Sequence, residues 1–314
     1  MRADLLDRVQ LVCPPCTWKR GSPAALRLDR TDGGREEVLE GTLRCVRCGE
    51  VYPILQGIPV VASEGYRRVA AETAEVDDPL ALLGPHGLAH FADLLPGGER
   101  EGLRAGDFWP RLAALPGGDL ASGLAVDLSC SAGRAALGLS RRAAFTLGLD
   151  ASFVTARLAR ASARAGRFPV RVVEEGAVAR VLQADLSPLL GGALEFVVAD
   201  PELPPLPPGI AAFVLAANLL ERQGDPEAFL RRAASLLAPG GSLAVASPFA
   251  WWEGGAPREG WLGRDGERAG DALVRILGEA GLEVLPGEDL LLVLRETARL
   301  EQVVRPRLVV ARRP

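Results

Sequence analysis

Near residue 124 the pattern of apolar and polar positions changes character. From there short apolar runs alternate with longer amphipathic stretches. LAVDLS (124–129), FTLGLD (145–150), LEFVVAD (194–200), AAFVLAAN (211–218) and SLAVAS (242–247) are nearly continuous in Val, Leu, Ala and Phe. Such runs predict strands buried on both faces. The intervening segments predict helices, one from about Gly133 and one ending near Ala165. A third starts at Asp225-Pro226, an N-cap with proline at the first helical position, and Pro239-Gly240-Gly241 stops it. Helical spacing over 267–281 and the apolar LLLVL and RLVVAR segments fit a closing helix and hairpin. This rhythm predicts an α/β fold with a parallel sheet and helices on both faces. Ahead of it, residues 63–123 mix short apolar helical stretches with GPHG and LPGG, which predicts helices laid over the edge of the main domain.

Ligands of such sheets bind where the strands end at their carboxyl termini. Asp127 lies within the first strand, Asp150 with Ala151 closes the second, and Asp200 with Pro201 closes the third. A carboxylate ending strand two can accept both hydroxyls of a ribose, so Asp150 is the first candidate. The turn after strand one reads SCSAGR (129–134). A dinucleotide turn would place glycines at 129, 131 and 134, where Ser129, Ser131 and Arg134 stand. Side chains there obstruct a pyrophosphate. They suit a phosphate-free sulfonium nucleoside, with Ser129, Cys130, Ser131 and Gly133 forming its cradle and Cys130 a small buried residue within it.

Charge and length narrow the partners. The 314 residues carry a formal net charge of -4, with no basic cluster to draw the chain to nucleic acid or anionic lipid. Nothing approaches the roughly 20 apolar residues needed to span a bilayer. MRADLLDRVQ, the first ten residues, has no signal-peptide character, so a cytoplasmic protein is expected.

Four of the five cysteines form two knuckles, Cys13-Pro-Pro-Cys16 and Cys45-Val-Arg-Cys48. Two Cys-x-x-Cys turns predict a four-thiolate structural zinc site in a module too small to hold together by its core alone. The following CGEVYPILQGIPVV (48–61) makes residues 9 to 62 resemble the Trm112-like zinc ribbons, which stabilise or present methyltransferases. Residues 1–50 balance nine basic against eight acidic side chains, so the ribbon is expected to serve structure or protein docking.

From 124 onward the chain resembles the class I S-adenosylmethionine-dependent methyltransferases, on the motif VDLSCSAG, the acid closing strand two, and LAPGG before strand five. That implies a Rossmann-like seven-stranded sheet behind a small N-terminal zinc-ribbon domain, divided as 1–62 ribbon, 63–123 helical linker or lid, and 124–314 methyltransferase. DLSCSAGRAALGLSR, AANLLERQGDPEAFL, SPFAWWEGGAPREGWLG and VLRETARLEQ are similar in order to the methyltransferase domain of ovothiol-biosynthesis enzymes. The likeness implies methyl transfer to the imidazole of a thiol-bearing histidine. Ser129, Phe249 and Thr297 depart from that family's glycine, tyrosine and histidine.

Methyl transfer from a sulfonium needs alignment and a dry site more than a nucleophilic residue. Asn218, leaving strand four, is expected to orient the acceptor or else to cap a turn. Glu221 and Glu253 are candidate bases or ammonium partners. Arg295 and Arg299 are candidates for a substrate carboxylate. Trp251 and Trp252 are candidate pocket walls. His86 and His90, four apart, read as lid or packing residues, and Phe108-Trp109 as core or else as a cover over a ligand. Two rival readings stay open: an RNA or translation-factor methyltransferase, and a non-catalytic docking protein that keeps the fold.

Overall fold

The computed structural model describes residues 1–33, 36–74, 78–97, 103, 106–115, 120–251, 253, 257–264 and 266–314. The strands of the N-terminal part are β1 (Leu26–Gly33), β2 (Val38–Cys45), β3 (Val51–Leu55) and β4 (Ile58–Val61). Those of the main part are β5 (Leu124–Asp127), β6 (Phe145–Asp150), β7 (Arg167–Glu175), β8 (Val178–Asp185), β9 (Leu194–Ala199), β10 (Ala211–Ala217) and β11 (Leu237–Ser247). Five more close the chain: β12 (Glu283–Val284), β13 (Glu288–Asp289), β14 (Leu292–Thr297), β15 (Leu300–Val304) and β16 (Arg307–Arg312). The α-helices are α1 (Leu5–Arg8), α2 (Glu64–Glu72), α3 (Pro79–Leu83), α4 (Pro85–Phe91), α5 (Phe108–Ala114), α6 (Arg134–Ser140), α7 (Phe153–Ala165), α8 (Pro226–Ser235) and α9 (Ala269–Glu279).

The main sheet runs β9-β6-β5-β10-β11-β16-β12, seven strands with β16 antiparallel to its neighbours β11 and β12. The parallel strands are those the apolar runs predicted, and the seven-stranded Rossmann-like order is the one the family resemblance implied. Buried Val126, Leu147, Val197, Val214 and Val245 put one face of the five parallel strands into a single core. The predicted helix starts hold. Asp225 accepts the Ala228 amide at 2.9 Å with Pro226 behind it. Gly133 opens α6 at φ 84°, where a Cβ would lie 3.0 Å from the Phe196 ring, so any side chain there meets both strain and a clash.

Two local pairings were not legible in the apolar pattern. Residues 167–185, unassigned by it, form the β7–β8 hairpin, which buries Phe168, Val170 and Val172 on one face at the strand period. The closing hairpin also differs from expectation. The strand over LLLVL does not pair with RLVVAR; β14 pairs with β15 as a separate two-stranded sheet, and β16 takes β12 and β13. Only Ala298 and Arg299 separate β14 from β15, and so short a loop closes a hairpin at little entropic cost.

The ribbon joins the same sheet. β1, β2 and β3 are antiparallel, and the β3–β4 turn places Gln56 and Gly57 at φ 49° and 79°, the conformation that suits a tight hairpin. β4 then lies parallel to β9, with Val60 opposite Val198 and Val61 opposite Ala199. The edge of the main sheet is thereby covered within the chain. The described helices of 63–123 pack against the main part of the chain at two places. Leu83, Leu88 and Phe91 cluster with Phe168 and Val170, while Phe108 and Leu112 cluster with Ala135 and Leu139 of α6. No described helix is long and apolar enough to cross a membrane.

Candidate functional site

A cavity of about 670 Å³ opens at the carboxyl ends of β5, β6, β9 and β10. Its floor is Ser129 and Ser131 after β5, Asp150, Ala151, Ser152 and Thr155 after β6, Asp200, Pro201 and Glu202 after β9, and Asn218, Arg222 and Gln223 after β10. Tyr66, Leu83, His86, His90 and Trp109 cover it from above. The volume is that of a small-molecule or cofactor site. A second hollow of about 720 Å³ lies against α7, lined by Arg157, Arg160 and Arg164. It is remote from the strand ends, and these arginines already engage Ala74, Glu195 and Glu37.

Asp150 organises the floor. Its carboxylate accepts the Ser131 amide at 2.8 Å, the Ser152 amide at 2.8 Å and the Thr155 hydroxyl at 3.0 Å. Burial raises its pKa, while the Ser152 and Ser131 amides and Thr155 pull it back. Three of roughly four lone-pair positions are thus committed, leaving one for a ribose hydroxyl in this arrangement. Ser131 sits at φ 45°, a left-handed conformation costing a serine on the order of 1 kcal/mol, and the hydrogen bond to Asp150 holds it there. Beneath the turn, Asp127 is 2 % exposed and its pKa is pushed up to about 7, by burial first and by the Asp150 charge, against the Ser129 amide.

The donor set fits a cationic nucleoside cofactor. Asp150, Asp200 and Glu202 line the cavity, and three carboxylates would repel a diphosphate but attract a sulfonium and its α-ammonium. Asn218, at φ 50°, is held by its own amide on the Ala246 carbonyl at 2.8 Å, and its Oδ1 is buried without a described partner.

Of the residues singled out in the sequence, Ser129, Ser131, Asp150, Ala151, Asp200, Pro201 and Asn218 line this cavity. Asp127, Cys130 and Gly133 lie behind the turn and shape it; the Cys130 amide bonds the Leu149 carbonyl at 2.9 Å. His86, His90 and Trp109 line the cavity as well, and the remaining candidates are elsewhere. Glu221 is buried, accepting the Ser247 hydroxyl and the Phe249 amide, so it anchors the end of β11. Glu253 is exposed 3.7 Å from Arg258. Arg295 pairs with Glu174 at 3.7 Å and Arg299 with Glu175 at 3.5 Å, because the β14–β15 hairpin leans on β7–β8 and its charges are spent there. Trp251 packs near Trp261, ring centres 6.3 Å apart, and Trp252 lies outside the described residues. Tyr66, Thr155 and Arg222 had no signal in the sequence, since nothing in its local pattern sets them apart from surface polar residues.

The ribbon cysteines converge. Their sulfurs all lie within 4.8 Å of one another, Cys13 to Cys48 at 3.7 Å and Cys16 to Cys45 at 3.9 Å. A tetrahedron with metal–sulfur bonds of about 2.3 Å has an edge of about 3.8 Å. These four thiols can hold a metal ion. The Cys45 sulfur also accepts the amides of Arg47 and Cys48 at 3.4 and 3.5 Å, which supports a thiolate. The knuckle reaches toward the cavity. The turn Pro15–Lys19 carries Trp18, whose indole donates to the Pro204 carbonyl at 2.6 Å, and the Val12 amide bonds Pro205 at 3.0 Å. That loop begins with Asp200, Pro201 and Glu202.

The sequence profile of the methyltransferase-domain family matches residues 99–286, more than half of the chain. The chain belongs to that family, whose expected cofactor is S-adenosylmethionine. No curated protein matches it. Among solved structures it is similar to a SAM-dependent methyltransferase of Methanosarcina mazei (17% identity over 61% of this chain and 92% of the other, TM-score 0.42). It is also similar to magnesium protoporphyrin IX methyltransferase of Synechocystis (17%, 66% and 77%, TM-score 0.42). A third likeness is to a complex between the Haloferax volcanii Trm112 methyltransferase activator and a methyltransferase (16%, 78% and 97%, TM-score 0.47). At these identities the likeness is one of fold.

Proposed function

We propose that this protein binds S-adenosylmethionine at the strand-end cavity and transfers its methyl group to a small molecule, an imidazole or amino-acid derivative of the thiohistidine type. The observation that carries the reading is the Asp150 cradle at the end of β6, with Asp200 and Glu202 beside it and no phosphate-binding glycine turn. Ser129 and Ser131 are tolerated because a phosphate-free cofactor does not press against the backbone there. Asn218 lines the cavity at the end of β10, the place from which an acceptor can be oriented. The acidic lining speaks against an RNA backbone as acceptor.

The same proposal gives Cys13, Cys16, Cys45 and Cys48 a structural zinc ion and gives residues 1–62 a supporting role within the chain. β4 covers the edge of β9, and Trp18 braces the loop that carries Asp200. The exposed Leu28, Leu39 and Val46 stay available to a protein partner in the cytoplasm.

Calorimetric titration of the zinc-loaded protein with S-adenosylhomocysteine tests the cofactor. Binding in the micromolar range by the wild type, lost in Asp150→Ala, is the expected result; no binding to the wild type would sink it. Methyl transfer from labelled S-adenosylmethionine to thiohistidine or histidine derivatives, compared with ribosomal RNA, tRNA and protein, then tests the acceptor. Label appearing only in a macromolecule would overturn the small-molecule assignment.

A further inference from the structure

The loop after β9 brings the cavity hydrogen-bond acceptors but no backbone donor. Asp200 and Glu202 line the cavity with carboxylates, and Pro201 between them has no N–H. The Glu202 amide is spent on Asp200 Oδ1 at 2.9 Å, and the Leu203 amide on the Asp200 carbonyl at 2.9 Å. A ligand group held by this loop alone must therefore be a donor.

A protein donor reaches this end from outside residues 99–286, the stretch that the family profile matches. Tyr66, on α2, is half-buried in the cavity lining, close enough to Asp200 and Glu202 for both charges to raise its pKa after burial itself. Its phenol is neutral near pH 7 and carries an O–H. The ribbon holds it there. α2 starts three residues after β4, and Arg67, next to Tyr66, donates to the Ala62 carbonyl at 2.9 Å and the Glu50 carboxylate at 2.7 Å. The Arg67 guanidinium also lies 5.4 Å from the centre of the Tyr52 ring.

The chemistry of the cofactor decides what lies at this end. Asp150 pairs in register with Val198, two residues before Asp200, so the acidic loop stands beside the Asp150 cradle. A ribose held at Asp150 sends its base one way and its sulfonium arm the other, since the two leave opposite carbons of the ring. The arm ends in an α-carboxylate, which Asp200 and Glu202 would repel. The adenine base is neutral, and its outer edge sets the N6 amine, a donor, beside N1, an acceptor.

Resting on the S-adenosylmethionine reading above, we propose that Tyr66 is a base-reading residue: the adenine lies at the β9 end, its amine donates to Asp200, and its N1 accepts the Tyr66 hydroxyl. The base is thus selected with a side chain that the ribbon holds in place, not by the strand-end loop alone. A base with a carbonyl in place of the amine is rejected, because that oxygen would face two carboxylates.

Three ligands separate these contacts. S-adenosylhomocysteine makes both, its 1-deaza analogue replaces N1 by C–H and keeps the amine, and S-inosylhomocysteine exchanges the amine for a carbonyl. In calorimetric titration of the zinc-loaded wild type, the 1-deaza analogue is expected to bind about 10-fold more weakly than S-adenosylhomocysteine, and S-inosylhomocysteine on the order of 100-fold more weakly. Tyr66→Phe keeps the ring and removes the O–H. It should weaken S-adenosylhomocysteine about 10-fold and leave the 1-deaza analogue at its wild-type affinity. A tyrosine that served only to pack α2 would weaken both ligands alike. Equal binding of the two by the wild type, or equal losses in Tyr66→Phe, would overturn the Tyr66 contact and leave the cofactor reading standing. No binding of S-adenosylhomocysteine by the wild type would overturn both.

Discussion

The ribbon cysteines and the strand-end cavity are both clusters of reactive side chains, but they are built in opposite ways. The four thiols face one another across 3.7–3.9 Å, and three of the four are buried. A single ion would satisfy all four. The cavity residues line open volume, with Asp150, Asp200 and Glu202 set around it. A closed cluster stores its binding energy in the fold, whereas an open one withholds it for a ligand. Metal removal should therefore cost stability, and cavity substitutions should cost affinity.

The largest expected effect is on the closed side. The wild type should carry one zinc per chain by elemental analysis, and Cys45→Ser should lower unfolding free energy by on the order of 4 kcal/mol or more. A metal-free wild type of unchanged stability would break the comparison. Next comes a residue behind the cavity turn that belongs to the fold. Asp127 has a folded pKa of about 7 against an ordinary 3.8, so the folded state holds its proton more tightly than the unfolded chain. The favourable contribution is full below pH 4 and is lost as pH rises through 7, up to about 4 kcal/mol. Asp127→Asn should flatten that part of the stability–pH curve in urea melts; an unaltered slope would reject the assignment.

Asp150→Asn should act on affinity instead. It keeps the carbonyl for one amide but weakens the cradle, and S-adenosylhomocysteine binding should fall on the order of 100-fold, about 3 kcal/mol, with a small change in melting temperature. A large loss of stability with intact binding would reverse the contrast. The smallest effect sharpens the link between the two regions. Trp18→Phe removes the indole N–H from the Pro204 carbonyl and should weaken cofactor binding only severalfold, about 1 kcal/mol, with zinc content unchanged. Unchanged affinity would mean that the ribbon braces the sheet without tuning the site.

The sequence determined the parts whose signal is local. Continuous apolar runs marked the five parallel strands, because strands covered on both faces admit few polar residues. The paired Cys-x-x-Cys knuckles marked the four-thiol cluster, and the acids ending those strands marked the cavity floor before any geometry was known. Only the tertiary structure decided the rest. Arg295, Arg299 and Glu253 looked like substrate-binding groups, but their neighbours in space, Glu174, Glu175 and Arg258, neutralise them away from the cavity. His90 read as a lid or packing residue and Trp109 as core, and the structure stacks the two together and places both in the cavity lining. The union of β4 with β9 was also beyond local reading, since a backbone pairing across more than a hundred residues leaves no trace in either strand's own pattern.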